Sequence, residues 1–156
     1  MSLEEQVVAA LRENEYLITT AESCTAGMIA SRLVNVPGIS EFYRQGYITY
    51  SNEAKINLLQ VEADVLARHG AVSRQVAEQM AQCAAELADT EVAIACTGIA
   101  GPDGGSDKKP VGLVYIACYV EGKIKVCKNI FKGNRQEVRE QSTQRALELI
   151  LECLKQ

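Results

Sequence analysis

The sequence has no tryptophan, two phenylalanines and one histidine among 156 residues. The first two shortages remove the flat aromatic platforms on which nucleic-acid bases stack. A net charge of −4 and an isoelectric point near 5.1 point the same way, because phosphate backbones are held by clustered lysine and arginine. No nucleic-acid partner is expected. His69, as the sole histidine, would have to serve any Ser-His-Asp triad, yet it stands before a glycine in ARHGAVS, where a helix end explains it. No apolar run approaches the length that crosses a bilayer, and the opening MSLEEQVVAALREN is acidic and amphipathic rather than basic then apolar, so neither a membrane span nor an export signal is read. The six cysteines, Cys24, Cys83, Cys96, Cys118, Cys127 and Cys153, are scattered singly, without a CxxC pair or the spacing of a zinc site. They read as reduced thiols in a cytoplasmic protein.

A chain of this length fits one domain, spanning 1–156, that buries roughly two thirds of the surface its unfolded form exposes. Periodicity predicts a helix over 3–14 with Val7, Ala10 and Leu11 inward, a strand over 17–21, and a helix over 25–35 stopped by Pro37 and Gly38. A second strand is expected through YRQGYITYS, with Tyr47 and Thr49 alternating against Ile48 and Tyr50. Two short helices and a longer one follow, over SNEAKINLLQV, VEADVLARHG and SRQVAEQMAQCAAELA. TEVAIACT reads as a buried strand, GLVYIACYV and KIKVCKNIF as a hairpin turning at Glu121-Gly122, and 134–154 as a closing helix. Early strands alternating with helices and two adjacent late strands give an α/β class: a layered α/β/α domain with a mixed central sheet.

Three stretches can carry chemistry. TAESCTAG sets Ser23, Cys24 and Thr25 at a strand-to-helix turn, where side-chain oxygens either cap the helix or, with N–H groups around Thr25, Ala26 and Gly27 behind them, serve nucleophilic attack. In TYSNEAKINLL, Asn52 reads as a cap, but the third residue after it is Lys55 where a capping box has Glu or Gln. A cation in a first helical turn faces the positive end of the dipole, which favours neutral lysine; the alternative is a solvated side chain. Tyr50, five residues before, is either a core aromatic or a hydroxyl that relays protons. ACTGIAGPDGGSDKKPVG is rich in glycine after an apolar strand, so its backbone can approach an anion, though a plain structural loop has the same composition. It lacks the GK[ST] of a P-loop and the GxGxxG of a dinucleotide fold, so neither ATP nor NAD is supported as a cofactor. Arg135 and Arg139, four apart on the last helix, share a face as an anion clamp or as ordinary solvated arginines.

Taken together, TAESCTAG, TYSNEAK, HGAVS, TGIAGPDGG followed by KPVG, and GNRQEVR closely resemble the CinA carboxy-terminal domain family, the nicotinamide-nucleotide amidohydrolases. The resemblance covers nearly the whole chain, in what looks like the stand-alone form. It implies hydrolysis of the carboxamide of nicotinamide mononucleotide to nicotinate mononucleotide and ammonia, by a serine amidase needing no histidine, metal or cofactor. The family's serine falls on Ser23, its tyrosine on Tyr50 and its lysine on Lys55. By the same resemblance Thr25 and Gly27 contribute to the site, Thr97, Gly98 and Gly101 contact the nucleotide, and Arg135 takes its phosphate. A homo-oligomer is also implied. Two departures stand out: Ala26 where the family has the first glycine of SCTGG, whose methyl is expected to narrow the site, and Asn134 where it often has Asp in GDR. Rival readings are a module that binds a pyridine nucleotide without cleaving it, an amidase for another small amide, and an interaction subunit.

Overall fold

The computed structural model describes residues 1–155. Five strands form one sheet in the order β2-β1-β3-β4-β5. Strands β1 (Ile18–Glu22), β2 (Tyr47–Ile48) and β3 (Val92–Gly98) run parallel, while β4 (Leu113–Val120) and β5 (Lys123–Ile130) are antiparallel. The sheet is mixed, as the strand pattern predicts. The β4–β5 hairpin turns at Glu121 and Gly122, both with positive φ, as a two-residue turn between twisted strands requires.

Alternation along the central strands explains the two layers of helices. Ile94 and Cys96 of β3, with Ile18 and Ile116, pack bulky side chains against α1 (Leu3–Asn14), α2 (Met28–Val34) and α6 (Arg135–Leu154). The opposite face carries alanines, Ala21, Ala93, Ala95 and Ala117, against α5 (Arg74–Ala88), which answers with Ala77, Ala81, Ala84 and Ala85. Small residues on both surfaces let the helix approach the sheet closely. Helices α3 (Asn52–Leu59) and α4 (Ala63–His69) join that second layer, and α4 ends at His69 before Gly70, so the histidine is a helix terminus.

Four details depart from expectation. On α1 it is Val8, not the half-buried Ala10, that completes the inward face with Val7 and Leu11. Strand β2 holds only two residues; the chain before it meets β1 through one isolated bridge, Ile18 with Tyr43, and through side chains: Thr19 Oγ1 donates to Gln45 O, and Thr20 Oγ1 pairs with Tyr43 Oη. The expected alternation nevertheless survives, with Thr49 buried and Ile48 and Tyr50 exposed. Helix α2 begins at Met28 rather than 25, because Ala26 and Gly27 both adopt positive φ. The cap of α3 is Ser51, whose hydroxyl accepts from Ala54 N, so Lys55 lies one position deeper in the helix than a cap at Asn52 implies. Asn134, by contrast, caps α6 in a reciprocal box with Glu137, as read from the sequence.

Candidate active site

The carboxyl ends of the parallel strands converge on one crevice. From β1 the chain passes to β2 on one side and then crosses to β3 on the other, the switch in strand order beside which open α/β sheets leave room for a ligand. Ser23 follows β1, Lys55 stands on the helix after β2, and Thr97 and Gly98 end β3. Together with Tyr50, Gly101 and Arg135 they line a cavity of about 260 Å³.

At its floor, Lys55 Nζ lies 3.0 Å from Ser23 Oγ. The lysine is 1% exposed. Nζ also donates to the carbonyls of Thr49, at 2.9 Å, and Tyr50, at 3.4 Å. As an ammonium Lys55 donates its three N–H bonds to these two carbonyls and to Ser23 Oγ; once neutral it keeps two N–H bonds for the carbonyls and turns a lone pair to the Ser23 hydroxyl. Burial lowers the Lys55 pKa to about 8, and the neighbouring Cys24 sulfur opposes the shift. Desolvation therefore does what the helix dipole was expected to do, which fits the lysine's place beyond the first turn.

The turn carrying Ser23 is fastened from several sides. Ser23 N donates to Cys96 O of β3 at 3.0 Å, and Ala26 N to Ser23 O at 3.1 Å. Arg139 Nε donates to Cys24 O at 2.9 Å, and its Nη2 to Thr25 O at 3.3 Å. The buried carboxylate of Glu22 accepts from Ile29 N and Ala30 N, at 2.9 and 3.1 Å. The amino end of α2 is thus occupied by Glu22, neither capped by Ser23 nor free to receive an oxyanion. Among the described residues, the N–H groups of Cys24 and Thr25 donate to no backbone carbonyl.

Not every expected residue reaches the crevice. Thr25 is fully buried behind it, and Gly27 is the positive-φ residue that opens α2; neither lines the cavity. Ala26 is exposed and also outside it, so its methyl does not narrow the site. The Tyr50 hydroxyl is turned to Arg135, whose Nη2 donates to it at 2.9 Å while Nη1 donates to Gly101 O at 2.8 Å. What Tyr50 offers Ser23 and Lys55 is its backbone carbonyl, not a proton relay. Arg139 spends its guanidinium on the serine turn and leaves the expected clamp to Arg135 alone. Thr97 faces the cavity but its hydroxyl donates to Ala71 O. A Cβ on Gly98 would come within 2.9 Å of Leu113 O, so close strand packing excludes a side chain there as well. Sequence reasoning missed Glu22, whose only signal is a carboxylate directly before the serine, and Asp103 at the cavity wall.

Residues 1–154 match the model of the CinA C-terminal domain. The chain belongs to this family. A protein of Clostridium beijerinckii named as competence-damage inducible is 51% identical over 154 residues, covering 99% of this chain and 38% of its own length. A CinA-like protein of Kosmotoga olearia is 46% identical over 153 residues, again 98% of this chain and 37% of the relative. The chain thus spans less than two fifths of the length of these relatives. Among solved structures, the competence damage-inducible protein A (ComA) of Klebsiella pneumoniae superposes with a TM-score of 0.95 at 38% identity, covering 98% of this chain and 95% of that one. The competence/damage inducible protein CihA of Agrobacterium tumefaciens gives 0.92 at 38% identity, with both chains covered completely. Both solved structures share the layered α/β/α domain.

Proposed function

We propose that this CinA domain hydrolyses the carboxamide of nicotinamide mononucleotide, with Ser23 as nucleophile and Lys55 as base. The observation that carries the reading is the buried Lys55 amine 3.0 Å from Ser23 Oγ, with two carbonyls holding its N–H bonds and its pKa lowered to about 8. Lys55 takes the Ser23 proton as Oγ attacks the amide carbon, and the N–H of Cys24, which lines the cavity, receives the developing oxyanion. The C–N bond then breaks, Lys55 returns the proton to the leaving nitrogen, and ammonia departs. Water attacks the ester, giving its proton through Lys55 back to Ser23, and nicotinate mononucleotide is released. Arg135 at the cavity wall matches the nucleotide phosphate, and the Gly98–Gly104 loop its sugar side. Tyr50 orients Arg135 in this scheme.

The choice of amide rests on the family resemblance; that the domain acts alone, and as a homo-oligomer, belongs to the same proposal. Purified protein supplied with nicotinamide mononucleotide is expected to release ammonia, and to act far more slowly on nicotinamide riboside, which lacks the phosphate. Equal rates on both would remove Arg135 as a phosphate ligand. Release only from unrelated small amides would replace the substrate while keeping the amidase.

A further inference from the structure

Beside Ser23 lies a pair of thiols that the amidase reaction does not use. Cys24 Sγ is 3.8 Å from Cys96 Sγ, in van der Waals contact. Cys24 lines the cavity and is 6% exposed, whereas Cys96 sits on the central strand β3 and is completely buried. The two sulfurs therefore have different access and the same neighbourhood. A disulfide has sulfurs about 2.05 Å apart, so closure needs an approach of about 1.8 Å. That movement falls on Cys24. Cys96 is fixed by the β1–β3 and β3–β4 ladders, in register with Glu22 on one side and Ile116 on the other, while Cys24 belongs to an irregular turn.

The geometry points to a reversible disulfide between Cys24 and Cys96, a modification site through which a small two-electron thiol oxidant entering the cavity displaces the Ser23 turn. The electronic asymmetry of the pair agrees. The Cys96 S–H, held to Cys24 and completely buried, keeps its proton with its pKa raised, and the same hydrogen bond lowers that of Cys24. Cys24, which reaches the cavity, is thus the attacking sulfur and Cys96 the resolving one. With an azo oxidant such as diamide, Cys24 sulfur adds to one nitrogen; Cys96 sulfur then attacks Cys24 sulfur, breaking the S–N bond. The two thiol hydrogens end on the hydrazine nitrogens, so two electrons pass from the thiols to the oxidant. Pulling Cys24 inward moves its N–H away from the cavity and strains the Arg139 bond to Cys24 O.

The consequence for activity rests on the amidase reading; the bond itself does not. The test treats wild type and Cys96→Ala with diamide, maps the peptides by mass spectrometry and measures ammonia release before and after dithiothreitol. In wild type a Cys24–Cys96 linked peptide should form as the rate falls about a hundredfold, the scale that roughly 1 Å of misplacement costs, and dithiothreitol should restore it. Cys96→Ala should match wild type when reduced and lose less than about twofold under diamide, with no linkage at Cys24. Wild type without the linked peptide, or linked but fully active, overturns the proposal. Failure of reduced wild type to release ammonia overturns the amidase reading instead, and the peptide map then decides the thiol pair by itself.

Discussion

In the proposed reaction a single buried amine governs the chemistry, and its burial has two measurable signatures. Because the Lys55 pKa is lowered to about 8 from 10.5, roughly a tenth of the amine is neutral at pH 7, and kcat/KM should rise with pH until it levels above about 8. Lys55→Arg stays protonated and should lose about a hundredfold or more at every pH. Stability carries the second signature. Between about pH 8 and 10.5 the folded protein has shed a proton that the unfolded chain keeps, so unfolding free energy rises with pH across that window; below it the buried charge is penalised in full. Denaturant titrations of wild type against Lys55→Met at pH 8, 9 and 10 should reveal this gain in wild type alone. Ala26 offers a simpler trial. It holds φ +46° outside the cavity, so Ala26→Gly should stabilise by about 0.5–1 kcal/mol in thermal unfolding and leave the rate unchanged. Residues of this kind are only partly legible in a sequence. The misfit of Lys55 in a helix start is visible there, but the direction of the Tyr50 hydroxyl is set by Arg135, 85 residues away.

Among the elements, α6 does more than cover the sheet. Its first two turns reach across the crevice, with Arg135 at the cavity and Arg139 on the carbonyls of the serine turn. Arg139 touches no cavity surface, which makes it a positioning residue. If the proposed reaction holds, Arg139→Met should lower kcat by about tenfold to a hundredfold with KM nearly unchanged, since the serine turn shifts while the Arg135 side of the cavity stays. The first helices are tied by a different pair: Arg32 of α2 donates twice to the Glu4 carboxylate of α1, at 2.7 and 2.8 Å. Arg32 holds the Glu4 pKa at about 2, below its ordinary 4.5. The stabilisation is present above about pH 4.5 and vanishes as pH falls toward 2, so Glu4→Gln should cost about 1 kcal/mol at pH 7 and almost nothing at pH 2. The elements themselves were largely legible. Apolar periodicity marks α1 and α5, the Asn134–Glu137 box marks the start of α6, and Glu121-Gly122 marks the hairpin. The failures at β2 and at the start of α2 have separate origins: side-chain bonds from Thr19 and Thr20 stand where a longer ladder is expected, and the positive φ of Ala26 and Gly27 delays the helix.

For the molecule as a whole, the crevice is assembled from five stretches distant in sequence, around residues 23–24, 50–55, 71–72, 97–104 and 135, brought together by the switch in strand order. Each stretch read alone admits a structural explanation, and several of those explanations are also true: Gly98 is excluded from bearing a side chain by packing, and Asn134 is a helix cap. Only their convergence supports the proposal that Ser23 is a nucleophile. No helix among the described residues is long and apolar enough to cross a membrane. The central claim is that Ser23, primed by Lys55, attacks an amide in this crevice. Its most direct test is ammonia release from nicotinamide mononucleotide by wild type and Ser23→Ala, with nucleotide binding measured on the same samples. Release by wild type, and a variant that binds equally well but releases none, is the predicted result. Undiminished release by Ser23→Ala would contradict it.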